Sequence, residues 1–157
     1  MKIKNEKGDV FKMILPKGYF GYGQIIDKRK NTITVVIYKS IYLSEQYSLD
    51  AILTDDILFL YNTFDVFIEM GKWVIIDNCI DNLTQIVLPY YLIGLPPNAI
   101  VEDFYRNKVR NANEDDIKNI DYRGTAAPIN IVNAFMDFHK IILSKTNYDD
   151  LFYDNAS

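Results

Sequence analysis

The sequence has few of the residues on which disulfides, zinc sites and membrane spans depend. Among its 157 residues it has one cysteine, Cys79, and one histidine, His139. One cysteine cannot form an internal disulfide, and one cysteine with one histidine cannot supply the four nitrogen and sulfur ligands of a structural zinc site. Apolar stretches end at charges or prolines well short of the roughly 20 residues that a membrane-spanning helix needs. We therefore expect no metal, no cofactor and no membrane partner.

The first seven residues are mostly charged or polar, and no apolar segment follows them as it would in a signal peptide. Because the single cysteine has no partner in the chain, the sequence suits a reducing compartment. We therefore expect a cytoplasmic protein.

Short catalytic motifs are also missing. The sequence has no Gly-x-Ser-x-Gly nucleophile elbow, and Cys79 has no Cys-x-x-Cys partner, so we interpret it as a small buried apolar residue. A Ser-His-Asp or Cys-His enzyme would have to use His139 as its general base. His139 follows Phe138 near the end of a predicted amphipathic helix, where a packed or half-exposed role is the usual one. These features indicate that the chain is not an enzyme.

Three glycines lie close together in the segment Gly18-Tyr19-Phe20-Gly21-Tyr22-Gly23. Their order differs from the Gly-x-Gly-x-x-Gly of a dinucleotide site, and no helix is predicted after them. Glycines inside a strand permit a bulge, a sharp bend or the close approach of another segment. We interpret this segment as a bend in a curved sheet rather than as a phosphate-binding loop.

Apolar and β-branched residues predict a strand-rich first half. Alternating and β-branched apolar segments end at turn signals such as Pro16, Lys17-Gly18 and residues 27–31. Short connections favour antiparallel neighbours, so we expect a meander. The predicted fold class is α+β, with a twisted, largely antiparallel β-sheet or small barrel and a C-terminal amphipathic helix. The predicted strands are residues 8–15, 19–26, 32–38, 73–77 and 85–88.

The length suits one domain, which we predict over residues 1–157, with 1–90 mostly in strands. The pattern of residues 49–64 fits a strand, a helix or both. In the helical alternative, Asp55-Asp56 caps a short helix that contains Ile57, Leu58 and Leu60.

The second half is predicted to end in a helix and a tail. Residues 100–124 are interpreted as a polar surface loop region with one helical turn. Apolar residues at steps of three or four predict a helix over 129–143, with Pro128 in its first turn and Thr125 as its cap. Residues 147–157 form an acidic tail.

Charge is divided unevenly along the chain. Residues 1–48 have nine basic and four acidic residues, a net charge of +5, whereas the remainder has eight basic and seventeen acidic residues, a net charge of −9. Such a split predicts a dipolar surface, although ordinary scatter of surface charge explains it equally well. Basic residues interleaved with aromatic ones at 12–39 leave open a nucleic-acid-binding adaptor, against which the isoelectric point of about 4.9 argues.

Four pairs of adjacent carboxylates leave open a further alternative, a small carboxylate-dependent hydrolase. Paired carboxylates can hydrolyse glycosides or bind a hard cation. None of the pairs has the Asp-x-Asp-x-Asp-Gly spacing of a calcium loop, and solvated surfaces and helix starts account for most such pairs. The pairs are Asp55-Asp56, Glu102-Asp103, Asp115-Asp116 and Asp149-Asp150.

Three short segments share a family pattern. They are Lys7-Gly8-Asp9-Val10-Phe11, Gly18-Tyr19-Phe20-Gly21-Tyr22-Gly23-Gln24-Ile25 and Gly71-Lys72-Trp73-Val74-Ile75-Ile76. With these segments the chain resembles, over about its first 77 residues, the immunity protein 26 family of bacterial polymorphic toxin systems. The resemblance implies that six residues define the fold: Gly8, Asp9, Phe11, Gly21, Gly23 and Trp73.

The resemblance also implies a function. It implies a cytosolic antidote without catalytic residues, which binds a cognate toxin domain and blocks it. An acidic inhibitor suits a basic toxin such as a nuclease through charge complementarity, and we expect no direct contact with nucleic acid. Acidic and tyrosine side chains around the polar loop region are the predicted toxin interface: Glu102, Asp103, Tyr105, Glu114, Asp115, Asp116, Asp121 and Tyr122.

Overall fold

A computed structural model describes residues 3–141, so the predicted tail over 147–157 and the pair Asp149-Asp150 lie outside the described residues. The chain forms two compact units: the first contains described residues 3–84 and 125–141, and the second contains residues 85–124. One domain over 1–157 stays a prediction.

The elements are β1 (Asp9–Ile14), β2 (Phe20–Arg29), β3 (Thr32–Tyr38), α1 (Leu49–Leu53), β4 (Ile57–Phe64), α2 (Val66–Glu69), β5 (Trp73–Asn78), β6 (Tyr91–Ile93), β7 (Ile100–Glu102), β8 (Lys108–Asn111), α3 (Glu114–Asn119) and α4 (Pro128–Phe138), with short 3₁₀ helices at Pro16–Gly18 and Asp81–Gln85.

The first unit is built on a five-stranded antiparallel sheet with the strand order β4-β3-β2-β1-β5. Strands β1 to β4 are neighbours in the order of the chain, as short connections predict. Strand β5 then returns to pair with β1 at the opposite edge. The α+β class and the antiparallel sheet are confirmed, and in the described part of the chain the sheet stays open rather than closing into a barrel.

One face of this sheet forms the hydrophobic core with helix α4. Alternate strand residues point to the same face of a sheet, so Phe11, Ile37 and Phe59 lie together and are fully buried. Ile131 and Phe135 from α4 belong to the same cluster. The segment before α4 attaches along β4, where the Ala126 N–H donates to the Asn62 carbonyl at 2.9 Å.

Residues 49–64 contain a short helix followed by a strand. Ser48 caps α1 by accepting a hydrogen bond from the Ala51 backbone N–H at 3.3 Å. The predicted cap at Asp55-Asp56 is wrong, because β4 begins at Ile57 and pairs with β3 along its length. Tertiary pairing and burial outweigh the local helix signal here. The Asp55 carboxylate instead accepts a hydrogen bond from the Ser40 N–H at 2.8 Å.

Strand β2 continues through Asp27-Lys28-Arg29, where the sequence predicted a turn. Arg29 pairs with Thr32, so only two residues connect β2 to β3. One of them, Lys30, has a φ of 51°, as tight hairpin turns require. Charged residues are compatible with a strand at this position because their side chains remain partly or fully exposed.

Strand β5 begins at the buried Trp73, but its other residues are half-buried or exposed. Among the described residues its one sheet neighbour is β1, so this continuously apolar segment is an edge strand. The strand predicted at 85–88 is wrong. A 3₁₀ helix spans Asp81–Gln85, and no strand is assigned to 86–90.

Helix α4 is shorter than predicted. Pro128 occupies its first turn, as expected, but the N-cap is Ala127, which has no side chain able to cap, rather than Thr125. The helix ends at Phe138, and Lys140 has a φ of 58°, which interrupts the helical path. The residues predicted to extend the helix from 142 onward lie outside the described residues.

The second unit is a three-stranded antiparallel sheet with the order β6-β7-β8, followed by α3. The segment predicted as a polar loop over 100–124 therefore contains two strands that were not predicted, β7 and β8, whereas α3 lies in the part where one helical turn was expected. Strand β8 is exposed at all four residues, so it lacks the alternation by which strands are recognised in a sequence.

Candidate partner-binding surface

All eight residues of the predicted interface lie in the second unit. Glu102 and Asp116 are buried, with exposed fractions of 9% and 6%. The other six expose part or most of their side chains, and we call them the acidic–aromatic surface: Asp103, Tyr105, Glu114, Asp115, Asp121 and Tyr122.

The Glu102 carboxylate is paired inside the unit. It accepts a hydrogen bond from Arg123 Nη2 at 3.2 Å. The same guanidinium donates to the backbone carbonyls of Asp103 and Phe104 at 3.1 and 3.3 Å, and it lies 4.1 Å from the centre of the Tyr91 ring. Removing one member of such a largely buried pair leaves the other charge uncompensated. Glu102 thus stabilises the unit.

Asp116 fixes the start of α3. Its carboxylate accepts two hydrogen bonds from Arg110, at 3.1 and 2.7 Å. Asn113 and Asp116 also form a capping box, since each side chain accepts a hydrogen bond from the other's backbone N–H, at 2.8 and 3.1 Å. The hydrogen bonds from Arg110, followed by the one from Asn113, lower the pKa of Asp116. Its carboxylate therefore stays ionised and has a structural role.

Asp103 closes the turn between β7 and β8. Its carboxylate accepts hydrogen bonds from the Asn107 backbone N–H at 2.8 Å and from the Asn107 amide at 3.3 Å. The Asp103 N–H donates to the Asn107 carbonyl at 2.9 Å, and the Arg106 N–H donates to the Asp103 carbonyl at 3.1 Å. The backbone hydrogen bond from Asn107 is the main cause of a lowered pKa for Asp103. Tyr105 lies at the tip of this turn and is 56% exposed.

Asp121 and Tyr122 run beside β6. Leu92 forms a parallel bridge with Tyr122, and its N–H donates to the Asp121 carbonyl at 2.9 Å. The Tyr122 hydroxyl donates to the Gly94 carbonyl at 3.0 Å. The ring of Tyr122 is half exposed, but its polar group has a partner within the unit.

Net charge is close to balanced in the second unit. Residues 85–124 contain six acidic and five basic residues, a net charge of −1. The negative charge of the chain lies mainly in residues 49–84 of the first unit, which hold seven acidic residues and one basic residue, a net charge of −6. Net charge therefore does not distinguish the predicted interface from the rest of the protein surface.

The carboxylate pairs considered for hydrolysis are separated among the elements. Asp55 accepts hydrogen bonds from backbone N–H groups, Glu102 pairs with Arg123 and Asp116 pairs with Arg110. Within residues 3–141, no three or more His, Cys, Asp or Glu side chains are grouped to hold a metal ion. None of the helices in the same range has the length and hydropathy to cross a membrane.

His139 follows the last residue of α4 and lies against two phenylalanine rings, Phe135 and Phe138. Its Nε2 is 2.7 Å from the Lys39 carbonyl oxygen, and because a carbonyl oxygen only accepts, Nε2 carries the hydrogen. Burial lowers the pKa of His139, and the bond to Lys39 opposes this shift. Cys79 is a half-buried free thiol.

The six residues implied to define the fold have identifiable roles. Gly8 has a φ of 94° and donates its N–H to the Ile25 carbonyl at 2.8 Å. The neighbouring Asp9 accepts hydrogen bonds from the Glu6 N–H at 2.8 Å and the Asn78 amide at 2.9 Å. These contacts join the start of β1 to β2 and β5.

Phe11, Gly21, Gly23 and Trp73 form the packed centre of the sheet. The Phe11 and Trp73 rings are stacked with their centres 4.6 Å apart. Phe11 also lies over Gly23, where an added Cβ would be 2.4 Å from Phe11 Cζ. An added Cβ at Gly21 would be 2.8 Å from the Phe135 ring. The glycines permit close approach of rings, which was one of the interpretations left open for glycines in a strand.

Sequence reasoning missed the two arginines that organise the second unit, Arg110 and Arg123. The partner of Arg123 cannot be found from spacing alone, because Arg123 pairs with Glu102, which lies 21 residues earlier in the chain. The capping box could have been found, since Asn113 stands three residues before Asp116 at the start of a polar helix. A buried network on β2 and β3 was also missed: Gln24 Oε1 accepts from the Tyr38 hydroxyl at 2.7 Å and from the Asn82 amide at 2.8 Å.

Comparison with known proteins gives one result. The family model of Immunity protein 26 matches residues 6–96, which is more than half of the chain and includes all six residues that the resemblance implies to define the fold. No curated protein and no solved structure matches the chain. All eight residues of the predicted interface lie beyond the matched segment. On the strength of this match, the chain belongs to the Immunity protein 26 family.

Proposed function

We propose that the chain is a non-enzymatic immunity protein that neutralises a cognate bacterial toxin domain by forming a protein–protein complex. The observation that supports this proposal most is membership of the Immunity protein 26 family. We propose the cytoplasm as the place of action, which suits a chain whose only cysteine is a free thiol.

The proposed contact with the toxin is the acidic–aromatic surface. Its supporting features are accessible carboxylates on α3, Glu114 and Asp115, and exposed tyrosine rings at Tyr105 and Tyr122. Tyrosine is enriched at protein interfaces because it buries a large area at a low entropy cost. Glu102 and Asp116 are left out of the proposed contact, since both carboxylates are buried and paired with arginines.

We propose a basic toxin, such as a nuclease domain, as the partner. The net charge of the chain is −4, with a surplus of six negative charges in residues 49–84. Opposite net charges on two proteins increase the rate of their association at low ionic strength. The net negative charge of the chain therefore contributes the attraction, and the acidic–aromatic surface contributes the contact.

Co-expression in a bacterial host tests the proposal. The toxin domain encoded beside the gene of this chain is induced alone, with the chain, and with an unrelated acidic protein of similar size. We expect growth only when the chain is present. Continued cell death, with folded chain detected in the cells, would reject the proposal, and an inactivated toxin variant confirms that arrest comes from toxin activity.

A further inference from the structure

The turn between β7 and β8 holds one aromatic side chain inside and presents the next one outside. Phe104 is 5% exposed, and Tyr105 is 56% exposed. Their rings meet edge to face with centres 5.2 Å apart, so the buried ring supports the exposed one. No hydrogen bond of the Tyr105 hydroxyl is found in the described part of the chain, whereas the hydroxyl of Tyr122 is bonded to Gly94.

The backbone below Tyr105 is fixed from both sides. Within the turn, Asp103 and Asn107 exchange three hydrogen bonds, at 2.8, 2.9 and 3.3 Å. From the other side, Arg123 donates to the carbonyls of Asp103 and Phe104. Arg106 adopts a φ of 70° in the same turn, a conformation that persists in a non-glycine residue only where surrounding contacts impose it. The turn is therefore ordered before any partner binds.

An ordered, exposed tyrosine at the tip of a turn has the properties of an interface anchor. Anchors are mostly Trp, Tyr and Arg, and preordering reduces the entropy lost on binding. The near-balanced charge of residues 85–124 argues that this unit binds by shape and burial more than by a net field.

We propose that Tyr105 is the anchor of the toxin contact and inserts into a recess of the toxin that has apolar walls and one hydrogen-bonding group for the hydroxyl. Arg123 and Asp103 are positioning residues, which act by holding the turn; Asp103 is part of the acidic–aromatic surface, but its carboxylate is engaged by Asn107 rather than by the toxin. This inference rests on the proposed function and adds which residue dominates the contact and what shape of partner surface receives it. Tyr105 lies outside residues 6–96, the segment that the family model matches. A contact that is specific to one toxin is not shared by the whole family, so it is expected outside that segment.

Binding kinetics of the purified chain with the purified toxin domain encoded beside its gene test the inference. We expect Tyr105→Ala to weaken binding at least about 30-fold, mainly through faster dissociation, which corresponds to the usual threshold of an anchor residue. Tyr105→Phe should weaken binding at least about threefold, since it removes only the hydroxyl. The matched control is Tyr90→Ala, because Tyr90 is a tyrosine of the same unit with a similar exposed fraction, 51%, and it should change affinity less than about threefold.

The positioning role is tested by combining substitutions. Arg123→Lys keeps the charge but loses the planar group that reaches two carbonyls, so it should weaken binding in the wild-type background and have little effect when Tyr105→Ala is already present. Asp103→Ala should behave in the same way, which provides a second variant if Arg123→Lys unfolds. Additive effects would overturn the positioning role.

The outcomes separate the two proposals. If the wild-type chain does not bind the toxin, the proposed function fails and this inference fails with it. If the wild-type chain binds and Tyr105→Ala binds within threefold of it, the proposed function stands and the anchor is overturned. Equal binding by Tyr105→Phe and the wild type would overturn the hydrogen-bonding group in the recess.

Discussion

Substitution of Gly23 by alanine sets two opposing effects of known size against each other. No positive φ is found at Gly23, so alanine can adopt its backbone conformation. At such a position Gly→Ala ordinarily stabilises a protein by about 0.4–1 kcal/mol, because it reduces the freedom of the unfolded chain. Packing opposes this gain, since the new Cβ would lie 2.4 Å from Phe11 Cζ and 2.8 Å from Ile37 Cδ1.

The packing effect should be the larger one. Phe11 cannot retreat easily, because its ring is stacked on Trp73 and is fully buried. Inserting a carbon into a well-packed core costs about 1–3 kcal/mol. After the gain from the unfolded chain is subtracted, we expect Gly23→Ala to lower the free energy of unfolding by about 1–2 kcal/mol.

Urea denaturation of four variants measures the effect and assigns its cause. The variants are the wild type, Gly23→Ala, Phe11→Leu and the double variant, compared by their midpoints at unchanged slope. Leucine at position 11 removes the atoms closest to the new Cβ, so the double variant should be more stable than the sum of the two single effects by about 1 kcal/mol. A stabilising Gly23→Ala, or strictly additive effects, would refute the close approach of Phe11 to Gly23 as the reason for glycine at this position.

Three further predictions concern the charged groups. Asp116→Ala should lower the free energy of unfolding, because it removes one half of the capping box of α3 and the ion pair with Arg110. Asp115→Ala should change the free energy of unfolding by less than about 0.5 kcal/mol. Urea midpoints compare the two variants, and equal effects would contradict the capping role. Burial lowers the pKa of His139 below 6.5, so on acidification the unfolded chain binds more protons than the folded chain. The contribution of His139 to stability is therefore complete above about pH 6.5 and is lost as the pH falls. A His139→Gln chain whose stability changes as steeply as the wild type's between pH 7 and 5 would contradict this prediction. Reversal of Glu114, Asp115 and Asp121 to lysine should slow association with a basic toxin at low salt, with the difference shrinking at about 1 M salt; a salt-independent difference would exclude charge steering.

The first half of the fold was predictable because its strands are apolar and their connections are short. Strand β3, Thr32–Tyr38, agrees with the prediction at both ends. The helix around Phe135 was found from its apolar spacing, although its end was placed too late, since nothing in the spacing of apolar residues reports the φ of 58° at Lys140. Tertiary pairing decided the remaining elements: β4 is a strand because β3 offers it a partner.

The second unit was the least predictable part, for a different physical reason. Strand β8 has no buried residue, and α3 buries only Asp116, so neither shows an apolar pattern. Ion pairs between residues far apart in the chain, such as Glu102 with Arg123, organise this region. The same contacts determine which predicted interface residues are accessible, and this is why the sequence could not separate Glu102 and Asp116 from the exposed six.

The most direct test of the account is a titration of toxin activity with the purified chain. Toxin at a concentration far above the expected dissociation constant is mixed with increasing molar ratios of chain, and the remaining activity is measured after equilibration. Neutralisation by a one-to-one complex predicts a linear fall that reaches zero at an equimolar ratio. Activity that disappears at a small fraction of an equivalent would show catalytic inactivation, and activity that persists in excess chain would show that the chain does not neutralise this toxin.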